Sequence, residues 1–209
     1  MTRFIVLSLA TLLLVIAAPP LEAVEEAEYR VIRADDAIEI REYAPSVIAE
    51  VIVDGDFEEA SNRAFRPLFR YFDGDNTMRR EIAMTAPVSQ QKSAGQSAQK
   101  IEMTAPVSQA KAPGGWAVSF MMPASYTMET LPTPNDPAVG LREVPAYRAA
   151  AIRYSGRWTE SRYADHLAKL REWLDREGLR ADGDPVWARY NAPFVPWFLR
   201  RNEIIIRLR

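Results

Sequence analysis

The sequence predicts an α+β fold assembled from a duplicated strand–helix unit. Three observations carry the prediction. Short segments alternate apolar and polar residues with the period of a half-buried strand. Two longer stretches space their apolar residues three and four apart, as an amphipathic helix does. Both kinds of segment recur at a constant offset of 101 residues.

Taken in order, residues 1–23 stand apart from the rest. Arg3 precedes an apolar run from Phe4 to Ala18, then Pro19-Pro20 and the small-residue stretch Leu21-Glu22-Ala23. Basic, apolar and cleavage regions in that order predict a secretory signal peptide. The run is shorter than the roughly 20 residues a membrane-spanning helix needs. The expected product starts near Val24, lacks a stable membrane span, and is periplasmic or secreted. Residues 24–209 then form one domain, a size that buries a sufficient core without disulfides.

Val24–Glu28 is acidic and is expected to be loose. Ala37–Tyr43 alternates, Ile38 and Ile40 on one face and Glu39 and Arg41 on the other, and Val47–Val53 is a β-branched strand. Asp54-Gly55-Asp56 is a turn, and Asp56 with Glu59 resembles a capping box at a helix start. The first helix runs to about Phe72, with Ala64, Phe65, Leu68, Phe69 and Phe72 as its apolar stripe. Pro67 inside it predicts a kink. The second helix spans about Glu160–Glu177, with Tyr163, Leu167, Leu170 and Leu174 as its stripe and Gly178 as its stop.

The repeat matches Ile40-Arg41-Glu42 to Leu141-Arg142-Glu143, Ala49 to Ala150, Gly55 to Gly156, Glu59 to Glu160 and Arg70 to Arg171. Each half has too little core to stand alone, so the two are expected to share one sheet. A tighter repeat sets Ile82–Gln90 against Ile101–Gln109, identical at eight of nine positions. The polar spacer Gln91–Lys100 reads as a surface loop.

The formal net charge is −2, with basic residues scattered along the chain, which argues against nucleic acid as a partner. There is no cysteine, which removes disulfides, thiolate zinc sites and thiol catalysis. The one histidine, His166, takes the place of Phe65 in the repeat and reads as a partly buried helix residue. No Gly-x-Ser-x-Gly elbow or phosphate loop is present. Met78, Met84, Met103, Met121, Met122 and Met128 read as core filling, with Cu(I) as the competing role. Arg63, Arg66 and Arg70 share one helix face bordering Phe65, Phe69 and Phe72. That face is either solvated or a cationic rim suited to a flat apolar molecule with carboxylates. Tyr190–Leu199, aromatic and proline-rich, is either a plug or one wall of a cleft.

Four motifs in sequence carry a resemblance: Ile40-Arg41-Glu42-Tyr43, Ile82–Val88 (I-x-M-T-A-P-V), Phe120-Met121-Met122-Pro123, and Tyr190-Asn191-Ala192-Pro193 with Arg200-Arg201-Asn202-Glu203. Together they resemble the SOUL / haem-binding protein family over roughly Tyr29 to Arg209. The resemblance implies a pseudo-twofold curved antiparallel sheet or distorted β-barrel flanked by two helices. The fold also resembles effector-binding domains of the gyrase-inhibitor type. Haem or another porphyrin is the implied ligand. In some animal members a histidine proposed as axial ligand stands third in the I-R-x-Y motif, where this chain has Glu42. Other members are thought to hold porphyrin in an apolar cleft by the first helix. Arg63 and Pro67 match a basic residue and a proline of that helix, and Arg66 replaces an apolar contact. The implied site sets the porphyrin against Phe69, Tyr190, Phe194 and Trp197, with Arg63, Arg66 and Arg70 at its carboxylates. No catalytic step is needed. Two other readings stay open: a hydrolase or haem-modifying enzyme using Glu42 or Glu143 as base, and an envelope module binding a partner through Gln91–Lys100.

Overall fold

The structure, a computed structural model, describes residues 24–78 and 98–209. Residues 1–23, expected to be a signal peptide, the copy Ile82–Gln90 and most of the spacer lie outside the described residues. The elements are β1 (Glu25–Glu26), β2 (Tyr29–Asp35), β3 (Ile38–Tyr43), β4 (Ser46–Val53), α1 (Phe57–Phe72), β5 (Asn76–Thr77), β6 (Thr104–Ala105), β7 (Val107–Ala112), β8 (Gly115–Met121), β9 (Thr133–Pro134), β10 (Gly140–Val144), β11 (Tyr147–Tyr154), α2 (Glu160–Arg176), β12 (Val186–Arg189) and β13 (Asn202–Arg207).

Nine strands form one strongly curled antiparallel sheet in the order β10-β4-β8-β7-β12-β13-β11-β3-β2. Only Pro145 and Ala146 separate β10 from β11, although five strands lie between them in the sheet. So short a connection curls the sheet into a half-barrel. The order has a mirror property. β10 and β3, β4 and β11, and β8 and β13 stand equally far from the central β7–β12 pair.

Both helices pack on one face of the sheet. Ala64, Leu68 and Phe72 of α1 meet Ala49, Val51, Val118 and Phe120. Leu170, Trp173 and Leu174 of α2 meet Ile40, Ala150, Ile152 and Ile204. Ala49 and Ala150 are fully buried, and their small side chains let the helices approach the strands. Burying a side chain like Leu68 stabilises the fold by roughly 1.5–3 kcal/mol.

Each helix start follows from its local sequence. Asp56 Oδ1 accepts from the amides of Glu58 (3.0 Å) and Glu59 (2.8 Å), satisfying two donors that the helix cannot. Thr159 caps α2 through the Arg162 amide. Gly55 and Gly156 turn the chain at φ +106° and +142°, which side-chain-bearing residues rarely adopt. Arg63 Nη1 donates to the Asp54 carbonyl and Arg162 Nη2 to the Ser155 carbonyl, so an arginine closes each turn. Pro67 sits in a helix that continues to Phe72.

Three expectations are revised. Glu25-Glu26 is not loose: it pairs in parallel with Thr104-Ala105 of the second M-T-A-P-V copy. Arg41 is not a solvent-facing strand residue but is buried against Glu203, on the sheet face away from the helices. Phe65 and Phe69 belong to the α1 stripe by spacing, yet both stay largely exposed, because the sheet covers a narrower arc of the helix than the stripe spans.

Candidate functional site

The exposed aromatic face of α1 is the feature that the core does not explain. Phe65 and Phe69 are 43% and 42% exposed. Their rings lie 5.7 Å apart and 15° from parallel, and the edge contact of Phe65 with Phe120 (5.6 Å) anchors the pair to the sheet. Two stacked rings left half in water form an exposed aromatic platform.

The predicted arginine row divides around this platform. Arg63 is held by Asp54, through the carboxylate at 2.9 Å and the carbonyl at 3.0 Å. Arg70 is paired with Asp75. Arg66 is exposed, with no ion pair among the described residues. Both acids lie in the turns that flank α1, so their local proximity was readable in the sequence.

The segment after β12, expected as a plug or one wall of a cleft, is an irregular and mostly exposed turn. Arg200 Nε donates to the Val195 carbonyl (2.8 Å) and Nη2 to the Pro193 carbonyl (2.6 Å), fixing its path. Trp197–Leu199 closes as a 3-10 turn. Phe194 is 88% exposed and Trp197 49%, and Phe198 and Leu199 are exposed beside them. Trp158 connects this segment to the helix side of the sheet. It packs with the α2 core, lies 4.2 Å under the Arg200 guanidinium, and donates Nε1–H to Asn202.

Tyr190 does not join the group. Strand alternation places Arg189 on the helix face and Tyr190 on the other, where it packs with Tyr43, Ala149 and Ile205. Its hydroxyl donates to Glu203 Oε2 at 2.9 Å, and burial, then the Glu203 charge, raises its pKa well above the usual phenol range. Glu203 also takes two bonds from Arg41 and one from Arg201 Nε. Burial pushes the Glu203 carboxyl up, but Arg41, Arg201 and Tyr190 together pull it below its ordinary value. A carboxylate so fully engaged is a structural anion, not a base waiting for a proton. Glu42 and Glu143 are both exposed, which removes the support for reading either as a cleft base.

The inner face of the half-barrel carries a concavity that Phe65, Phe69 and the three α1 arginines do not line. A cleft of about 830 Å³ lined by Tyr43, Met121, Tyr126 and Tyr147 shares walls with a smaller recess of about 130 Å³. Its rim includes Glu25, Glu26, Glu28 and Glu143. A dicarboxylate would meet like charge there, whereas the α1 platform is flanked by arginines.

The platform suits a flat apolar ring. A histidine bond to its centre is not available, because His166 lies on α2, stacked 3.9 Å from Tyr154 with Nδ1 on the Arg162 carbonyl. Burial lowers its pKa. No group of metal-binding side chains gathers among the described residues, and none of their helices is long and apolar enough to cross a membrane.

The chain is 25% identical over 171 residues to "Heme-binding protein 1" of Xenopus tropicalis, covering 80% of this chain and 82% of that protein. Among solved structures, the EcmrR C-terminal domain superposes with a TM-score of 0.54 at 12% identity, covering 87% of this chain and 98% of that one. A hydrolase from Listeria innocua superposes with a TM-score of 0.53 at 11% identity, covering 85% and 94%. At such identities these two structures show the fold alone. The family described as "SOUL heme-binding protein" matches residues 24–99 and 91–207. The match covers nearly all of the described residues, and the chain belongs to the SOUL heme-binding protein family.

Proposed function

We propose that this is an exported tetrapyrrole-binding protein that holds haem or a related porphyrin without catalytic chemistry of its own. The observation that carries the reading is the Phe65–Phe69 pair, near-parallel, half-exposed and bordered by cations. Family membership and the relative named Heme-binding protein 1 support the ligand class. Phe194 and Trp197, exposed on the segment pinned by Arg200, supply further aromatic surface. A bound haem brings its own iron chemistry, and the protein's part is binding and orientation.

Export rests on the order basic, apolar, small in residues 3–23. Descent of the two halves from one duplicated unit rests on the 101-residue offset and on the mirrored strand order. The two carboxylates that a hydrolase reading would use, Glu42 and Glu143, are both exposed.

Haemin titrated into the purified protein should give a saturable change in the Soret band, with half-saturation below about 10 μM. Absence of saturation in that range rejects the proposal.

A further inference from the structure

Three arginines near the pinned segment have no carboxylate partner among the described residues, although two of them are partly buried. Arg189 and Arg200 both lie against Trp158, at 5.3 Å and 4.2 Å from its ring centroid. Arg189 also lies 4.8 Å from Trp187, and Arg157 5.7 Å from Trp197. The contrast with the opposite face of the sheet is direct. There the withdrawn Arg41 and Arg201 both end on Glu203. Here Arg200 ends on two carbonyls and Arg189 on the Ser61 hydroxyl. Arg189 Nε is buried with no hydrogen-bond partner among the described residues. Burial lowers the Arg189 pKa to about 10, so the cation persists at neutral pH without a counter-charge. A buried cation with an unmet donor is costly unless something negative completes it.

The position of this cluster says what that something is. Ser61 lies one four-residue step before Phe65 and two before Phe69 on the same row of α1. Arg189 touches Ser61, and Arg200 holds Pro193 and Val195. The cluster therefore joins the start of the aromatic platform to the aromatic segment. We infer that Arg157, Arg189 and Arg200 form the carboxylate-binding end of the ligand seat and take the acid side chains of a tetrapyrrole resting on Phe65 and Phe69. The inference deepens the proposed function and rests on it. The arginines on the other flank are less suited, since Arg63 and Arg70 already hold acids of their own. Arg200 uses two of its five N–H groups, and Arg157 has no hydrogen bond or ion pair among the described residues, so both have donors left for a carboxylate.

The test compares protoporphyrin IX with its dimethyl ester, which has the same ring and no free acids. Binding is read from quenching of tryptophan fluorescence. The unaltered protein should bind the free acid about tenfold or more tightly than the ester. Arg157→Gln should weaken the free acid several-fold and leave the ester unchanged, whereas Arg200→Gln, which also frees the Pro193 and Val195 carbonyls, should weaken the acid several-fold more than the ester, with melting temperatures recorded alongside. Arg189→Gln should do the same if it folds, and the other two variants decide the matter in either case. Equal affinity for acid and ester, free-acid binding untouched by both variants, or a loss confined to Arg66→Gln overturns this inference and leaves the tetrapyrrole reading standing. Failure of the unaltered protein to bind either porphyrin or haemin overturns both.

Discussion

Arg41 and Glu203 meet in a two-pronged ion pair, Nη1–Oε2 at 2.6 Å and Nη2–Oε1 at 3.1 Å, with both side chains almost wholly withdrawn from water. The pair ties β3 to β13 across the intervening β11 on the face away from the helices. Removing Glu203 leaves the buried Arg41 with only the partly exposed Glu39 as counter-charge, on its Nε at 2.7 Å. Glu203→Gln should cost about 3–5 kcal/mol in urea unfolding at neutral pH. The pH dependence has a definite sign. The folded-state pKa of Glu203 lies below its unfolded value of about 4.3. The stabilisation is therefore complete above that value and is lost as pH falls through the lower folded pKa. Acid unfolding curves from pH 7 to 3 should be flatter for the variant, and an unchanged slope contradicts the assignment.

Neighbouring residues of α1 separate packing from binding. Leu68 is fully buried, so Leu68→Ala should cost about 2–5 kcal/mol. Phe69 is 42% exposed, and Phe69→Ala should cost about 1 kcal/mol or less while weakening haemin binding about tenfold. Thermal melts beside Soret titrations measure both, and a Phe69→Ala variant that binds like the parent removes the platform from the site.

Gly115 offers a test of the sheet's geometry. It has φ +144°, and a Cβ placed on it lies 2.1 Å from the Val53 carbonyl oxygen. Gly115→Ala should destabilise by more than about 2 kcal/mol. Gly114, at φ +89° but with open space around the same position, should tolerate alanine better. Denaturant midpoints should rank the two variants in that order.

Export predicts a processed chain. Expressed in a bacterium with residues 1–23 in place, the protein should be recovered outside the cytoplasm with a new N-terminus near Val24. N-terminal sequencing that returns residue 1 from a cytoplasmic fraction rejects the expectation.

Local chemistry made much of the architecture readable. Asp56 announces α1, Gly178 (φ +66°) follows α2, and the alternation in Ile38–Tyr43 names the face of β3 that α2 covers. Long-range electrostatics was not readable, because Arg41 and Glu203 stand 162 positions apart and strand register alone brings them together. Helical spacing gives Phe65 and Phe69 an apolar side but not the width of the surface that covers it. The alternation that would have separated Arg189 from Tyr190 is present in Val186–Arg189, a segment too short and too uniformly apolar to betray it. β2 carries a weak signal for a related reason: it is an exposed edge strand with a register shift between Val31 and Arg33.

The two carbonyl bonds from Arg200 have a kinetic corollary. They hold Pro193 and Val195 before any guest arrives, so Phe194 and Trp197 ride on backbone that is already ordered. An incoming molecule then forfeits little conformational entropy on landing. Uptake should run near the pace of encounter, and differences in retention among guests should reside in how slowly they escape.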